Sequence, residues 1–167
     1  MAQADRPRWQ PVYIGLGSNV GDSPALIEQA IVLLAGLERT RLMCRSPLYR
    51  SQPWGPVAQA EFCNAAAGFL SELSPERWLQ ALQGIERALG RTRSELRWGP
   101  REIDLDLLAH GTHVSQSDQL SLPHPGIPER EFVLYPLRDI AEDLCLPWGR
   151  VRELAARVAP RGIQRWS

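Results

Sequence analysis

Between residues 12 and 110 the spacing of apolar side chains switches from strand-like to helical and back, twice. That order confines the chain to a few folds. VYIGLGS reads as a short buried strand ending in a turn at Gly17, Ser18 and Asn19. Ser23 and Pro24 signal a helix start, with Ser23 at the N-cap, and apolar residues at 26, 27, 30, 31, 33, 34 and 37 form its stripe. The segment beginning RLMC reads as a strand, SQPWGPVAQ as a Pro/Gly-broken loop and FCNAAAGFL as a second strand. Together they predict a hairpin whose tip is free to carry function. Ser74-Pro75-Glu76 repeats the helix-start signal; Trp78, Leu79, Leu82, Ile85 and Leu89 share a face, and Gly90 ends the helix. IDLDLLAHG is a strand, LSLPHPGIPEREFVLYPL a proline-stiffened connection into a short helix, and VRELAARVA a last helix. The order β-α-β-β-α-β followed by helices predicts an α+β fold, a ferredoxin-like α/β/α sandwich whose mainly antiparallel sheet is flanked by helices.

With 167 residues the chain fits one domain, residues 1–167, with residues 1–10 expected as a loosely ordered N-terminal extension. Its 19 basic and 19 acidic residues cancel, which argues against broad electrostatic binding to nucleic acid or membrane. Every basic residue is arginine. A phosphate-loop lysine and Schiff-base chemistry are therefore excluded. Cys44, Cys63 and Cys145 are far apart, show no paired metal spacing, and sit among apolar residues, so buried free thiols are expected. The N-terminus lacks a signal-peptide core, and no apolar run approaches the roughly 20 residues that span a bilayer. A cytoplasmic protein is expected.

The chemistry concentrates in RWGPREIDLDLL, residues 97–108. Strand alternation puts Asp104 and Asp106 on one face, Cα atoms about 6.5–7 Å apart, with Ile103, Leu105 and Leu107 on the other. Two rigid carboxylates at that spacing can hold Mg²⁺ while leaving positions for phosphate and water, or share a pair of ions. The alternation alone is equally that of a solvated face on a half-buried strand. Arg91, Arg93, Arg97 and Arg101 lie close by on an irregular segment, and a cationic loop beside a carboxylate pair suits a polyphosphate. Surface ion pairs of these arginines with Glu95 and Glu102 remain the alternative.

His124, with proline on both sides, has a fixed backbone from which the imidazole can donate to phosphate; His110 and His113 are expected to be solvent-exposed. GLGSNVGD lacks the spacing and the lysine of a phosphate loop, so a tight strand-to-helix turn explains it. Asn64 interrupts an apolar run, and its carboxamide needs partners, either backbone or a planar, amide-bearing heterocycle. Phe62 shares its strand face and can stack on such a ring, although ordinary core packing accounts equally for Phe62, Trp54 or Phe132. A metal-dependent hydrolase of nucleotide phosphates and a non-catalytic RNA-binding module are both compatible with the arginines and carboxylates taken alone.

YIGLGSN, SPLYRSQPWG, FxNAA, GRTR, RWGPREIDLDLL, LPHP and REFVLYPL, in that order, strongly resemble the 6-hydroxymethyl-7,8-dihydropterin pyrophosphokinase family from about Tyr13 to Leu146. The resemblance implies an ATP-dependent pyrophosphokinase of folate biosynthesis that passes the pyrophosphoryl group of ATP to the hydroxymethyl group of the pterin and releases AMP. It implies two Mg²⁺ ions on Asp104 and Asp106, and Arg91 and Arg101 as catalytic contacts to the transferred phosphates. For ATP it further implies Gln83, Glu86, Arg93, Trp98, Leu107, Ser121, His124 and Arg130, with Arg93, Arg97 and Trp98 on a closing loop. For the pterin it implies Ser51, Gln52, Trp54, Phe62, Asn64, Asp104 and Phe132, Asn64 as the amide reader and the two phenylalanines as a sandwich. Gln119, Pro125 and Ser94 depart from the family pattern at nucleotide-side or loop positions. Small-molecule partners and a monomer are expected, with no nucleic acid and no membrane.

Overall fold

The computed structural model describes residues 8–91 and 99–167. The strand β1 (Gln10–Ser18) leads into helix α1 (Ser23–Ala35), then β2 (Thr40–Arg45), β3 (Tyr49–Ser51), β4 (Phe62–Ser71) and helix α2 (Pro75–Ala88). The strand β5 (Asp104–His110) follows, then β6 (Ser115–Gln116), β7 (Ser121–Leu122), a 3₁₀ turn at Ile127–Glu129 and helix α3 (Glu131–Ala141). The chain closes with β8 (Cys145–Leu146), β9 (Gly149–Arg150), α4 (Val151–Arg157) and β10 (Gln164–Arg165). The main sheet runs β10-β3-β4-β1-β5, with β2 on the same edge of β4 as β3, and every pairing is antiparallel. Here is the expected α+β sandwich.

Alternation along the central strands sorts side chains between two helical layers. Val12, Ile14 and Leu16 of β1 and Cys63, Ala65, Ala67 and Phe69 of β4 meet Ile27, Ile31 and Leu34 of α1 and Trp78, Leu82 and Ile85 of α2. On the other face Leu108 and Ala109 join Leu134 and Leu137 of α3 and Val151 and Leu154 of α4. In the middle of β4 the residues turned that way, Asn64, Ala66 and Gly68, are small. At Gly68 an added Cβ would lie 2.8 Å from Cys44 Sγ and 3.3 Å from the Tyr13 ring, so this close approach requires glycine.

Helix boundaries agree with the sequence signals except at the first. Asp22, not Ser23, caps α1: its Oδ1 accepts the Ala25 N–H at 3.2 Å. Ser23 is diverted because its hydroxyl accepts the Ser18 hydroxyl at 2.9 Å in a buried contact. Ser74 caps α2 as expected, accepting Arg77 N–H at 3.3 Å. Gly90 ends α2 with φ +91°, and a double bond pattern, Arg91 N–H to Glu86 O at 3.0 Å and Gly90 N–H to Arg87 O at 3.2 Å, turns the chain back on itself.

Two other expectations are corrected. Cys145 is exposed and Cys44 only partly covered; on the two-residue strand β8 it is Leu146 that turns inward. His110 is buried, its Nε2–H donating to Leu73 O at 2.8 Å, because the end of β5 is covered by the turn before α2. The short pairs β6–β7 and β8–β9 and the return of β10 to the main sheet were not anticipated. Of the expected N-terminal extension, residues 1–7 lie outside the described residues, and Gln10 already belongs to β1. Among the described residues no helix is long and apolar enough to cross a membrane.

Candidate active site

The sheet surface facing α3 is not covered at its β5 end, and a cavity of about 300 Å³ opens there. Its floor is built by register. Gly17 of β1 stands between Asn64 of β4 and Asp104 of β5, and Gly15 between Ala66 and Asp106. With no side chains at Gly15 and Gly17, a carboxamide and two carboxylates look at each other across bare backbone. A Cβ at Gly17 would lie 3.1 Å from Asn64 Oδ1 and 3.9 Å from the Phe62 ring. The stretch taken as a mere turn is thus half cavity floor, and Gly15 and Gly17 are cavity-lining positions that the sequence reading missed. Their signal was glycine at a spacing of two within a strand.

The carboxamide is oriented by a buried partner: Asn64 Nδ2 donates to Ser51 Oγ at 2.6 Å. Ser51 ends β3, directly opposite Phe62. Trp54 and Phe132 form the facing wall, ring centroids 5.7 Å apart and nearly perpendicular. Phe62 lines the cavity beside Asn64.

On the β5 side the electrostatics are crowded. Asp104 Oδ1 pairs with Arg91 Nη1 and with Arg101 Nη1, each at 3.0 Å. Arg91 also pairs with Glu86, whose Oε1 accepts the Leu105 N–H at 2.8 Å. Glu86 therefore satisfies a donor on the outer edge of the last strand and ties β5 to α2. Burial raises the Glu86 carboxyl above its ordinary range, against the Leu105 bond and Arg91, which lower it. Asp106 is pushed up to about 7, first by desolvation and then by the charge of Asp104, with Arg130 and Arg101 offsetting part of this. Asp104 is thus paired with arginine, while it is Asp106 whose charged form is disfavoured.

His124 is held neutral at pH 7: burial lowers its pKa first, then the charge of Arg130. Its Nδ1 accepts Gly126 N–H at 3.0 Å, so Nε2 carries the proton and is the donor available to a ligand. Gly126 makes room for Arg130; a Cβ there would meet the guanidinium at 2.8 Å.

A family model described as 7,8-dihydro-6-hydroxymethylpterin-pyrophosphokinase matches residues 13–142. The chain belongs to this family. Relatives named 2-amino-4-hydroxy-6-hydroxymethyldihydropteridine pyrophosphokinase include one from Methylorubrum extorquens, 47% identical over 92% of this chain and 96% of the relative. Another, from Pseudomonas aeruginosa, is 45% identical over 93% of this chain and 96% of its own length. A crystal structure of Plasmodium falciparum HPPK-DHPS superposes with a TM-score of 0.70 at 13% identity. It covers 92% of this chain while the chain spans 46% of that one, and the likeness is one of fold.

Of the residues that resemblance to the pyrophosphokinase family singled out, Ser51, Gln52, Trp54, Phe62, Asn64, Arg101, Asp104, Asp106, His124, Arg130 and Phe132 line the one cavity. Arg91 and Glu86 stand just behind Asp104. Gln83 is exposed on α2, Ser121 lies on β7 with its hydroxyl donating to Ser117 O at 3.4 Å, and the Leu107 side chain is in the core on the opposite face from the carboxylates. Arg93, Arg97 and Trp98 lie outside the described residues.

Asn19 is a residue that sequence reasoning saw only as a turn. Its Nδ2 donates to Gln59 Oε1 and Ala60 O, both at 2.9 Å, while its Oδ1 accepts the Arg101 N–H at 2.9 Å. It thereby fixes the backbone of Arg101 and the far end of the Trp54 loop together.

The bare floor makes a direct prediction. Gly17→Val should weaken binding of a planar acceptor by about tenfold or more, because its methyls fill the cavity between Asn64 and Asp104. Calorimetric titration, with and without a non-hydrolysable ATP analogue, measures this, and ATP affinity should change little.

Proposed function

We propose that this cavity binds 6-hydroxymethyl-7,8-dihydropterin with its ring on the Gly15–Gly17 floor and its hydroxymethyl group toward Asp104 and Asp106. The chain transfers the pyrophosphoryl group of ATP to that hydroxyl in folate biosynthesis, giving the pterin diphosphate and AMP. The observation that carries the assignment of residues is the row Asn64–Gly17–Asp104, a carboxamide and an arginine-paired carboxylate separated by open floor, with Asp106 beside it.

Asn64, locked by Ser51, reads the amide edge of the ring, and Phe62, Trp54 and Phe132 supply its apolar walls. The donor set suits a hard cation: two carboxylates on one strand face, one pushed up to about 7 by desolvation and by the charge of the other. We assign Asp104 and Asp106 as the residues that would hold two Mg²⁺ ions. Bound there, Mg²⁺ supplies charge neutralisation and Lewis acidity toward the phosphates. In this reading Arg91 and Arg101, now paired with Asp104, turn to phosphate oxygens, and His124 Nε2 and Arg130 add further donors at the cavity. Gln83, Glu86 and Ser121, with Arg93 and Trp98, complete the nucleotide side in this reading; Leu107, its side chain in the core, can offer only backbone there.

The hydroxymethyl oxygen attacks the β-phosphorus in line, the bond from that phosphorus to the α,β-bridging oxygen breaks, and AMP leaves with the electron pair. The hydroxyl proton needs no strong base; Asp106, or water at the mouth, receives it, since positioning and electrostatics dominate such transfers. In this reading the enzyme works on these small molecules as a monomer in the cytoplasm, where ATP is available. AMP formation from Mg-ATP that requires hydroxymethyl-dihydropterin is the expected result. Release of orthophosphate or pyrophosphate without acceptor overturns the reading in favour of a hydrolase.

A further inference from the structure

We propose that Arg161, from the C-terminal segment beyond the family match, is a positioning residue for acceptor binding: it sets the Trp54 wall of the cavity from outside. The inference rests on the functional reading above and adds a part of the chain that the match, ending at residue 142, does not reach.

The segment is fastened to the element that carries the site. Gln164 and Arg165 of β10 pair with Arg50 and Tyr49 of β3, and Trp166 N–H donates to Leu48 O at 2.8 Å. The Arg50 guanidinium covers the Trp166 ring at 4.8 Å. The next residue of β3 is Ser51, partner of Asn64, and three residues further on is Trp54.

A tight turn precedes β10. Ile163 N–H donates to Pro160 O at 2.7 Å, with φ of +39° at Arg161 and +86° at Gly162. Two successive positive φ values across such a bond make a mirror-image turn, whose first central position is normally given to Asn, Asp or Gly. Arginine holds that left-handed position at a conformational cost. What the cost secures is visible: the Arg161 guanidinium carbon lies 5.4 Å from the centroid of Trp54. The same indole has Arg130 at 5.8 Å and the edge of Phe132 at 5.7 Å. Among the described residues, then, two groups at the start of α3 and one from the tail hold this ring, and it is Arg161 that reaches it from the tail. A planar acceptor entering beside Trp54 meets a wall already oriented, so less ordering is left to the moment of binding.

Arg161→Gly separates positioning from folding, because glycine suits the turn better than arginine while removing the guanidinium. The variant should melt no lower than the parent. Its acceptor dissociation constant and KM should rise about two- to fivefold, the scale of one exposed cation–π contact. ATP affinity and kcat at saturating acceptor should stay unchanged, and Arg161→Lys should recover part of the loss. An unchanged acceptor constant in a folded Arg161→Gly protein overturns the proposal, as does a loss that falls on ATP instead. Parent protein that binds no acceptor at all overturns the underlying functional reading, a result told apart by titrating it first.

Discussion

Asp104→Ala and Asp106→Ala should each lower acceptor-dependent AMP formation by at least about a hundredfold, the scale of losing one preorganised electrostatic contact at a reacting phosphate. Both side chains line the cavity and neither lies in a hydrophobic cluster, so the fold should survive. Asp106 goes further, because its charge is unfavourable in the metal-free chain. Its folded pKa is pushed up to about 7 from 3.8, so the folded state keeps a proton that the unfolded state releases. The stabilisation from that proton is fully present below 3.8 and is lost as pH rises to about 7. Asp106→Asn removes the penalty. In metal-free buffer its melting temperature should therefore exceed the parent's, by a margin that grows over this window and levels off above it. Thermal unfolding at pH 5 and pH 8 in chelator reads the effect, and Mg-ATP should favour the parent instead. Near-normal turnover in both alanine variants would sink the assignment of the two carboxylates, and a less stable Asp106→Asn protein at pH 8 that of a disfavoured Asp106 charge.

Arg101→Ala is the second large effect. Its backbone is clamped by Asn19 on both sides, N–H to Oδ1 at 2.9 Å and O to the Asn19 N–H at 3.0 Å. Truncating the side chain thus leaves the segment entering β5 in place. The guanidinium now shares Asp104 Oδ1 with Arg91, and a polyphosphate offers it a more highly charged partner. Its worth is greatest when charge builds on the departing and arriving oxygens. Single-turnover rate should drop about a hundred- to thousandfold while acceptor affinity changes severalfold at most. Equal losses in both would make Arg101 a binding residue only.

These two expectations draw on different depths of reading. That Asp104 and Asp106 share a face followed from period two alone, since any strand alternates its side chains. The helix starts at Ser74 and the stop at Gly90 were equally local, being hydrogen bonds and backbone angles settled within a few residues. Asp22 displaced Ser23 as a cap because Ser18, five residues back, took the hydroxyl; a local rule does not see that competition. The burial of His110 depended likewise on a carbonyl 37 residues away.

The sequence by itself determined the alternation of elements, the antiparallel sandwich, the chemical kinds of residue at the site and, through its motifs, the family. Only the tertiary structure decided that Gly15 and Gly17 are a floor, that Asn19 joins the Trp54 loop to Arg101, and that the C-terminal turn braces Trp54. Each of these is a matter of register or of contact between segments tens of residues apart. Such relations arise when the sheet assembles: pairing Gly17 with Asn64 on one side and Asp104 on the other turns three separate segments into one surface.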